Sequence, residues 1–93
     1  MIKFEDWTKL EIRIGKVVEA EKVENADKLL KLIIDFGDEK RQVLTAMAEY
    51  FEPDHFLNKQ IPVLVNLEPR TIRGLESQGM ILAADDGKPV LIH

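Results

Sequence analysis

Ninety-three residues leave room for one domain and one core, because a domain of this size buries only ~60–65% of its unfolded surface. Hydrophobic residues make up 45% of the chain and charged ones 32%, the balance of an ordinary folded protein rather than a disordered one. Thirteen basic residues against 17 acidic ones give a net charge of -4, which argues against a broadly basic nucleic-acid binder and makes any basic site local.

Cysteine is absent, excluding disulfides and thiolate metal sites. Met1 to Asp6 do not read as a signal peptide, and no run approaches the ~20 apolar residues of a membrane span. A cytosolic, membrane-free setting is the default expectation.

In chain order, Trp7 is expected as a lid over one end of the core. Glu11–Val23 reads as a long first strand in which Ile12 and Ile14 alternate with charged neighbours. The alternation slips after Gly15, which suggests a bulge or bend there, close packing against a neighbour being the alternative. A polar connector, Glu24–Asp27, leads into a second strand, Lys28–Phe36, with Leu30, Leu32, Ile34 and Phe36 on one face. Gly37 to Glu39 makes a turn, its acids Asp38 and Glu39 reading as solvated, and Arg41–Met47 is the third strand. Glu52–Leu57 reads as a short helix with Pro53 in its first turn. Gln60–Leu67 is the fourth strand, with Ile61, Val63, Val65 and Leu67 inward, and Gly79–Ala84 the fifth. Asp85 to Lys88 forms a hairpin turn into a final strand, Val90–Ile92. Five or so strands with a helix between the third and fourth match an all-β OB-fold, a partly open five-stranded Greek-key barrel, in a single domain spanning residues 1–93; the strand pattern alone would also permit another small barrel.

No catalytic constellation is found. His55 and His93 lie far apart in the sequence, and no phosphate-binding glycine loop, nucleophile elbow or zinc motif is present. Asp85-Asp86-Gly87 is too short for a calcium loop. No metal and no cofactor is expected.

The stretch Asn66–Met80 reads as a long loop between strands, a common place for binding on a rigid barrel. Arg70 and Arg73 are forked donors suited to phosphate oxygens. Asn66, Ser77 and Gln78 could read base edges or ribose hydroxyls, and Met80 offers a soft apolar shelf. The competing reading has the arginines snorkelling over the barrel and pairing with Glu68 and Glu76.

Four blocks occur in order: Leu10 to Val18, Asn25-Ala26-Asp27-Lys28-Leu29, Asn66-Leu67-Glu68-Pro69-Arg70, and Arg73-Gly74-Leu75-Glu76-Ser77-Gln78-Gly79-Met80. Together they resemble the tRNA-binding domain family that includes the C-terminal domain of methionyl-tRNA synthetase and free-standing relatives known as its β subunit. The resemblance spans nearly the whole chain. It implies a non-catalytic OB-fold module that binds tRNA by shape with little sequence preference and assists an aminoacyl-tRNA synthetase. Carried onto this chain, it points to Asn25, Lys28, Arg41, Asn66, Arg70, Arg73, Ser77, Gln78 and Met80 as tRNA-binding residues. A chaperone-like or protein-interaction dimer of the same family is the alternative.

The chain departs from the family pattern in three places. Glu68 and Thr71 stand where the family tends to have lysines, and Leu44 to Met47 replaces a usual Ser-Gly pair. The chain ends at His93, whereas relatives continue with a segment that helps form their homodimer; the resemblance implies a homodimer, here without that segment.

Overall fold

A computed structural model describes residues 1–93. A single helical turn, α1 (Phe4–Trp7), precedes the long strand β1 (Ile12–Lys22), followed by β2 (Leu30–Asp35) and β3 (Lys40–Thr45). A 3-10 turn at Pro53–His55 leads to β4 (Gln60–Leu64), and the short strands β5 (Arg70–Ile72), β6 (Leu75–Ser77), β7 (Met80–Ile81), β8 (Ala83–Asp85) and β9 (Pro89–Leu91) complete the chain. Five strands form one antiparallel sheet in the order β3-β2-β1-β4-β7, while β5–β6 and β8–β9 are separate ribbons. The sheet curls around its apolar face, giving the all-β, OB-type half-barrel expected from the pattern.

Val17, Leu30, Leu32, Ile34, Val43, Phe56, Ile61 and Val63 are fully buried inside the curl. Each such side chain contributes about 1.5–3 kcal/mol of apolar burial. The alternation in β2 is as expected, with Leu30, Leu32 and Ile34 buried between half-exposed neighbours. Phe56 closes one end of the core from just beyond the 3-10 turn, its ring edge-on to Phe51 at 5.7 Å. Proline opens that turn because its missing N–H has no partner to lose there.

β1 runs in the opposite phase to the expected one. Gly15 and Val17 face the core opposite Ile61 and Ile34, whereas Ile14 is 59% exposed. Residues paired across a ladder share a face, so the buried partners set the phase, and a glycine has no side chain to announce it. The register shift falls between Val17 and Glu19 rather than at Gly15. Gly15 is instead a site of close packing: a Cβ there would collide with the Ile34 methyl and lie 2.8 Å from the Phe36 ring.

Other expectations also change. Trp7 is 51% exposed on a helical turn with no buried residue, so it is not a lid. Leu67 lies past the end of β4 and is 43% exposed, because the strand stops at Leu64. The expected fifth strand splits into β7 and β8 at Leu82, whose N–H donates to the Pro62 carbonyl at 3.1 Å. Asp38 is not simply solvated: it accepts from Arg13 at 2.8 Å, while Glu39 accepts from Arg41 at 2.8 Å.

Candidate nucleic-acid interface

The expected loop Asn66–Met80 is mostly a β-hairpin. β5 and β6 pair Arg70 with Ser77 and Ile72 with Leu75, leaving Arg73-Gly74 as a two-residue turn. Both turn residues have positive φ, 53° and 80°, as a tight hairpin of primed type requires. Gly74 accepts this readily; Arg73 takes a conformation uncommon for its type, at the outermost point of the ribbon.

Side chains fasten this hairpin to β3. The Leu44 N–H donates to Ser77 Oγ at 3.0 Å, and the Ser77 hydroxyl donates to the Gly79 carbonyl at 3.1 Å. Gln78 answers Gln42 twice: its N–H donates to the Gln42 carbonyl at 2.8 Å, and its Oε1 accepts from the Gln42 N–H at 3.0 Å. Gln42 Nε2 donates to the Glu76 carbonyl at 2.9 Å. Arg41 Nη1 donates to the carbonyls of Val65 at 2.6 Å and Gln78 at 3.2 Å, and its other nitrogens fork onto Glu39. Gly79 lets the chain pass close by, since a Cβ there would sit 3.0 Å from the Leu64 carbonyl oxygen. Side-chain groups therefore complete the barrel where a regular strand ladder is missing.

Asn66 fastens a second seam. Its Oδ1 accepts from the Glu11 N–H at 2.8 Å and its Nδ2 donates to the Lys9 carbonyl at 2.7 Å, holding the N-terminal segment to the end of β4. Thus four of the nine expected binding residues, Arg41, Asn66, Ser77 and Gln78, use polar groups for internal bonds. Ser77 is buried, with both its donor and acceptor roles taken.

The other five face solvent. Asn25 adopts φ 62°, a left-handed conformation that asparagine tolerates well, in the connector between β1 and β2. Backbone bonds from Ala26 to Val23, Leu29 to Ala26 and Ala48 to Lys28 pin that connector, and Ala26 is buried beneath it. Asn25, Lys28, Ala46, Ile72 and Arg73 line one groove of about 400 Å³. Ile72 also borders a smaller recess lined by Glu68, Arg70, Ser77 and Met80. The two hollows are neighbours along the hairpin.

Ion pairing separates the chain's four arginines into two kinds. Arg13 is committed to Asp38 and Glu39, and Arg41 to Glu39. The Arg13–Asp38 bond raises the guanidinium's pKa and lowers the carboxyl's, with neighbouring acids adding to the first effect. Arg13 also lies over the Phe36 ring at 5.2 Å. Arg70 and Arg73 have no carboxylate within 4.0 Å, so the expected alternative of pairing with Glu68 and Glu76 is not realised. Lys28 reaches Glu49 only at 3.8 Å, with three-quarters of its side chain exposed. An exposed pair of this kind is worth ~0–1 kcal/mol, leaving the lysine available to another anion.

The His55 pKa is lowered, chiefly by desolvation and then by the charges of Lys59 and His93. His55 stacks on Phe51 at 4.5 Å and its Nε2 lies 3.3 Å from Lys59. No cluster of three His, Cys, Asp or Glu side chains is placed to hold a metal ion, and no helix is long and apolar enough to cross a membrane.

Fold and surface together define a small OB-type half-barrel carrying a braced hairpin with two unpaired arginines. The chain belongs to the family described as "Putative tRNA binding domain", which matches residues 12–93. It is 53% identical over 92 residues to the methionine–tRNA ligase of Archaeoglobus fulgidus, covering 98% of this chain but only 14% of that protein. The chain thus spans about a seventh of the length of that curated relative. A solved MetRS-related protein from Pyrococcus horikoshii superposes with a TM-score of 0.93 at 38% identity, covering 99% of this chain and 86% of that one. The chaperone CsaA from Bacillus anthracis superposes with a TM-score of 0.87 at 30% identity, covering 100% of this chain and 88% of that one.

Proposed function

We propose that this chain is a non-catalytic tRNA-binding module, acting in the cytoplasm beside a methionyl-tRNA synthetase or as part of one. The observation that carries this reading is the pair Arg70 and Arg73: they are the two arginines without an acidic partner, and both border adjoining hollows that also present Asn25, Lys28 and Met80. Guanidinium groups placed this way meet phosphate oxygens in forked pairs. Asn25 supplies amide donors and acceptors to ribose or base edges, and Met80, 47% exposed, gives an apolar rest for a base. Arg41, Ser77 and Gln78 serve the same face by holding the hairpin in place, while Asn66 fixes the N-terminal segment to the end of β4. A few unpaired cations on a chain of net charge -4 favour recognition by shape and backbone over a broad electrostatic hold.

Titration with unfractionated tRNA at several salt concentrations tests the reading. Log affinity is expected to fall linearly with log salt. Absence of binding at low salt would sink it.

A second reading has its own support. Ile2, Phe4, Trp7 and Ile14 are exposed apolar residues at the N-terminal end of the chain, and large apolar exposure marks protein contacts. They suit a homodimer or a chaperone-like hold on protein, and the CsaA likeness points the same way. Light scattering separates the possibilities: a dimer mass that becomes monomeric in Ile2→Ser/Phe4→Ser assigns these residues to self-association. A monomer whose tRNA affinity is nil and which suppresses aggregation of an unfolded protein would favour the chaperone reading.

A further inference from the structure

A groove of about 370 Å³ lies beside the proposed tRNA face, between the segment after β3 and the β8–β9 ribbon. One wall presents Ala46, Met47 and Tyr50, and the other Asp85, Gly87 and Lys88. Ala46 also lines the hollow of Asn25, Lys28 and Arg73, so the two depressions adjoin. The segment carrying Tyr50 is tied to the Asn25–Lys28 connector by the bond from the Ala48 N–H to the Lys28 carbonyl at 3.1 Å. Turn bonds from the N–H groups of Tyr50 and Phe51 to the Met47 carbonyl hold its backbone.

The groove brings together three side chains with no internal work. Tyr50 is 52% exposed, its ring stacks on no other aromatic and its hydroxyl makes no hydrogen bond, unlike nearby Phe51, which packs against His55 and Phe56. Lys88 and Asp85 belong to no ion pair in the chain. An aromatic face, a carboxylate acceptor and an ammonium are the three kinds of group needed to stack a base, accept from its edge and meet its phosphate.

We propose that this groove receives one unpaired nucleotide of the bound RNA, stacked on Tyr50, with Asp85 accepting a hydrogen bond from an exocyclic amino group and Lys88 meeting the phosphate. The proposal rests on the tRNA reading and extends it by adding a single-strand subsite to a face that otherwise reads backbone and shape. Asp85 biases the subsite: cytosine, adenine and guanine offer an exocyclic amino group, whereas the one donor on uracil's pairing edge, N3–H, lies between two carbonyl oxygens that the carboxylate repels.

Tyr50 is the chain's only tyrosine, so 3-fluorotyrosine gives a single fluorine resonance reporting on this groove. Adding unfractionated tRNA should shift that resonance, and Tyr50→Ala should weaken tRNA binding, read by anisotropy, about five- to tenfold, the low end of a base-stacking contribution. Tyr50→Phe, which keeps the ring, should stay within twofold. Tetranucleotides of C or A should shift the resonance more than one of U, and Asp85→Ala should erase that difference. If tRNA binds by anisotropy while the fluorine signal stays still, the subsite is wrong and the tRNA reading stands. If tRNA does not bind at low salt, both fall. An equal response to U overturns the amino-group selection, and a response to an apolar peptide but to no oligonucleotide would give the groove to a protein partner instead.

Discussion

The stretch from Asn66 to Met80 contains two regions of similar composition and opposite duty. At the seam beside β3, Ser77 and Gln78 spend their hydrogen-bonding groups on the Leu44 and Gln42 backbone, joined by Arg41 from the other side. At the tip and the β5 edge, Arg73 and Arg70 have no partner and lie exposed. The difference shows that a polar block can be functional without all of it touching a ligand. The seam converts a two-stranded ribbon, unstable alone, into a rigid mount, and the tip uses that rigidity.

The comparison breaks first if the seam can be removed cheaply. Ser77→Ala with Gln78→Leu leaves the Leu44 and Gln42 N–H groups without their acceptors. The expected loss is about 2–4 kcal/mol of unfolding free energy by denaturant titration. A loss below about 0.5 kcal/mol would mean that water replaces these bonds and that the seam is not structural.

The tip should show the reverse pattern. Arg70→Ala with Arg73→Asn, asparagine being chosen because position 73 has positive φ, should leave stability within about 0.5 kcal/mol. It should lower tRNA affinity about tenfold near 0.1 M salt, equally for all tRNAs, and reduce the salt slope by about 1.4–1.8, two phosphate contacts' worth. An unchanged slope would take the arginines out of the interface.

Leu30, Leu32 and Ile34 in β2 and Ile61 and Val63 in β4 were legible because apolar residues recur at every second position there, and Pro53 marks the start of the 3-10 turn. The phase of β1 was not, because Gly15 hides it and Ile12 and Ile14 present the more persuasive stripe. Chemical type picked out Arg70 and Arg73 as candidates but could not say which arginines were already paired: Arg13 and Arg41 find Asp38 and Glu39 only through the fold. The resemblance gathered Ser77, Gln78, Asn66 and Arg41 with the surface residues, since a motif records what recurs and not which way it points. Gln42 was missed altogether. Its part in the seam depends on facing Gln78 across a gap of 36 positions, a relation that no local pattern announces.

Asn66 offers a smaller test, because its bonds to Glu11 and Lys9 lie at an exposed edge. Asn66→Ala should cost about 1 kcal/mol and speed amide exchange from residue 3 to 11 more than elsewhere. Unchanged exchange there would return Asn66 to the list of side chains free to meet RNA.

The last effect is the least in size and lies away from both regions. Partial desolvation of the ring stacked on Phe51, with help from the charges of Lys59 and His93, holds the pKa of the otherwise exposed His55 below its ordinary 6.5. Its stack on Phe51 therefore favours the neutral ring. The unfolded chain takes up a proton near the ordinary value while the folded chain resists until the pH is lower. Stability from this residue is thus present above pH 6.5 and lost as the pH falls from there through the lowered pKa. The Arg13–Asp38 pair acts in a separate window, since its carboxyl pKa is lowered and its contribution is lost only below the ordinary carboxylate value of 3.8. His55→Phe keeps an aromatic ring on Phe51 without the proton. Its unfolding free energy should be flatter than the parent's from pH 7 to pH 5, with the drop at lower pH retained. Because His55 lines neither hollow that holds the arginines, tRNA affinity at neutral pH should stay the same. If it falls with the substitution, the sharp division between residues that build and residues that bind does not hold.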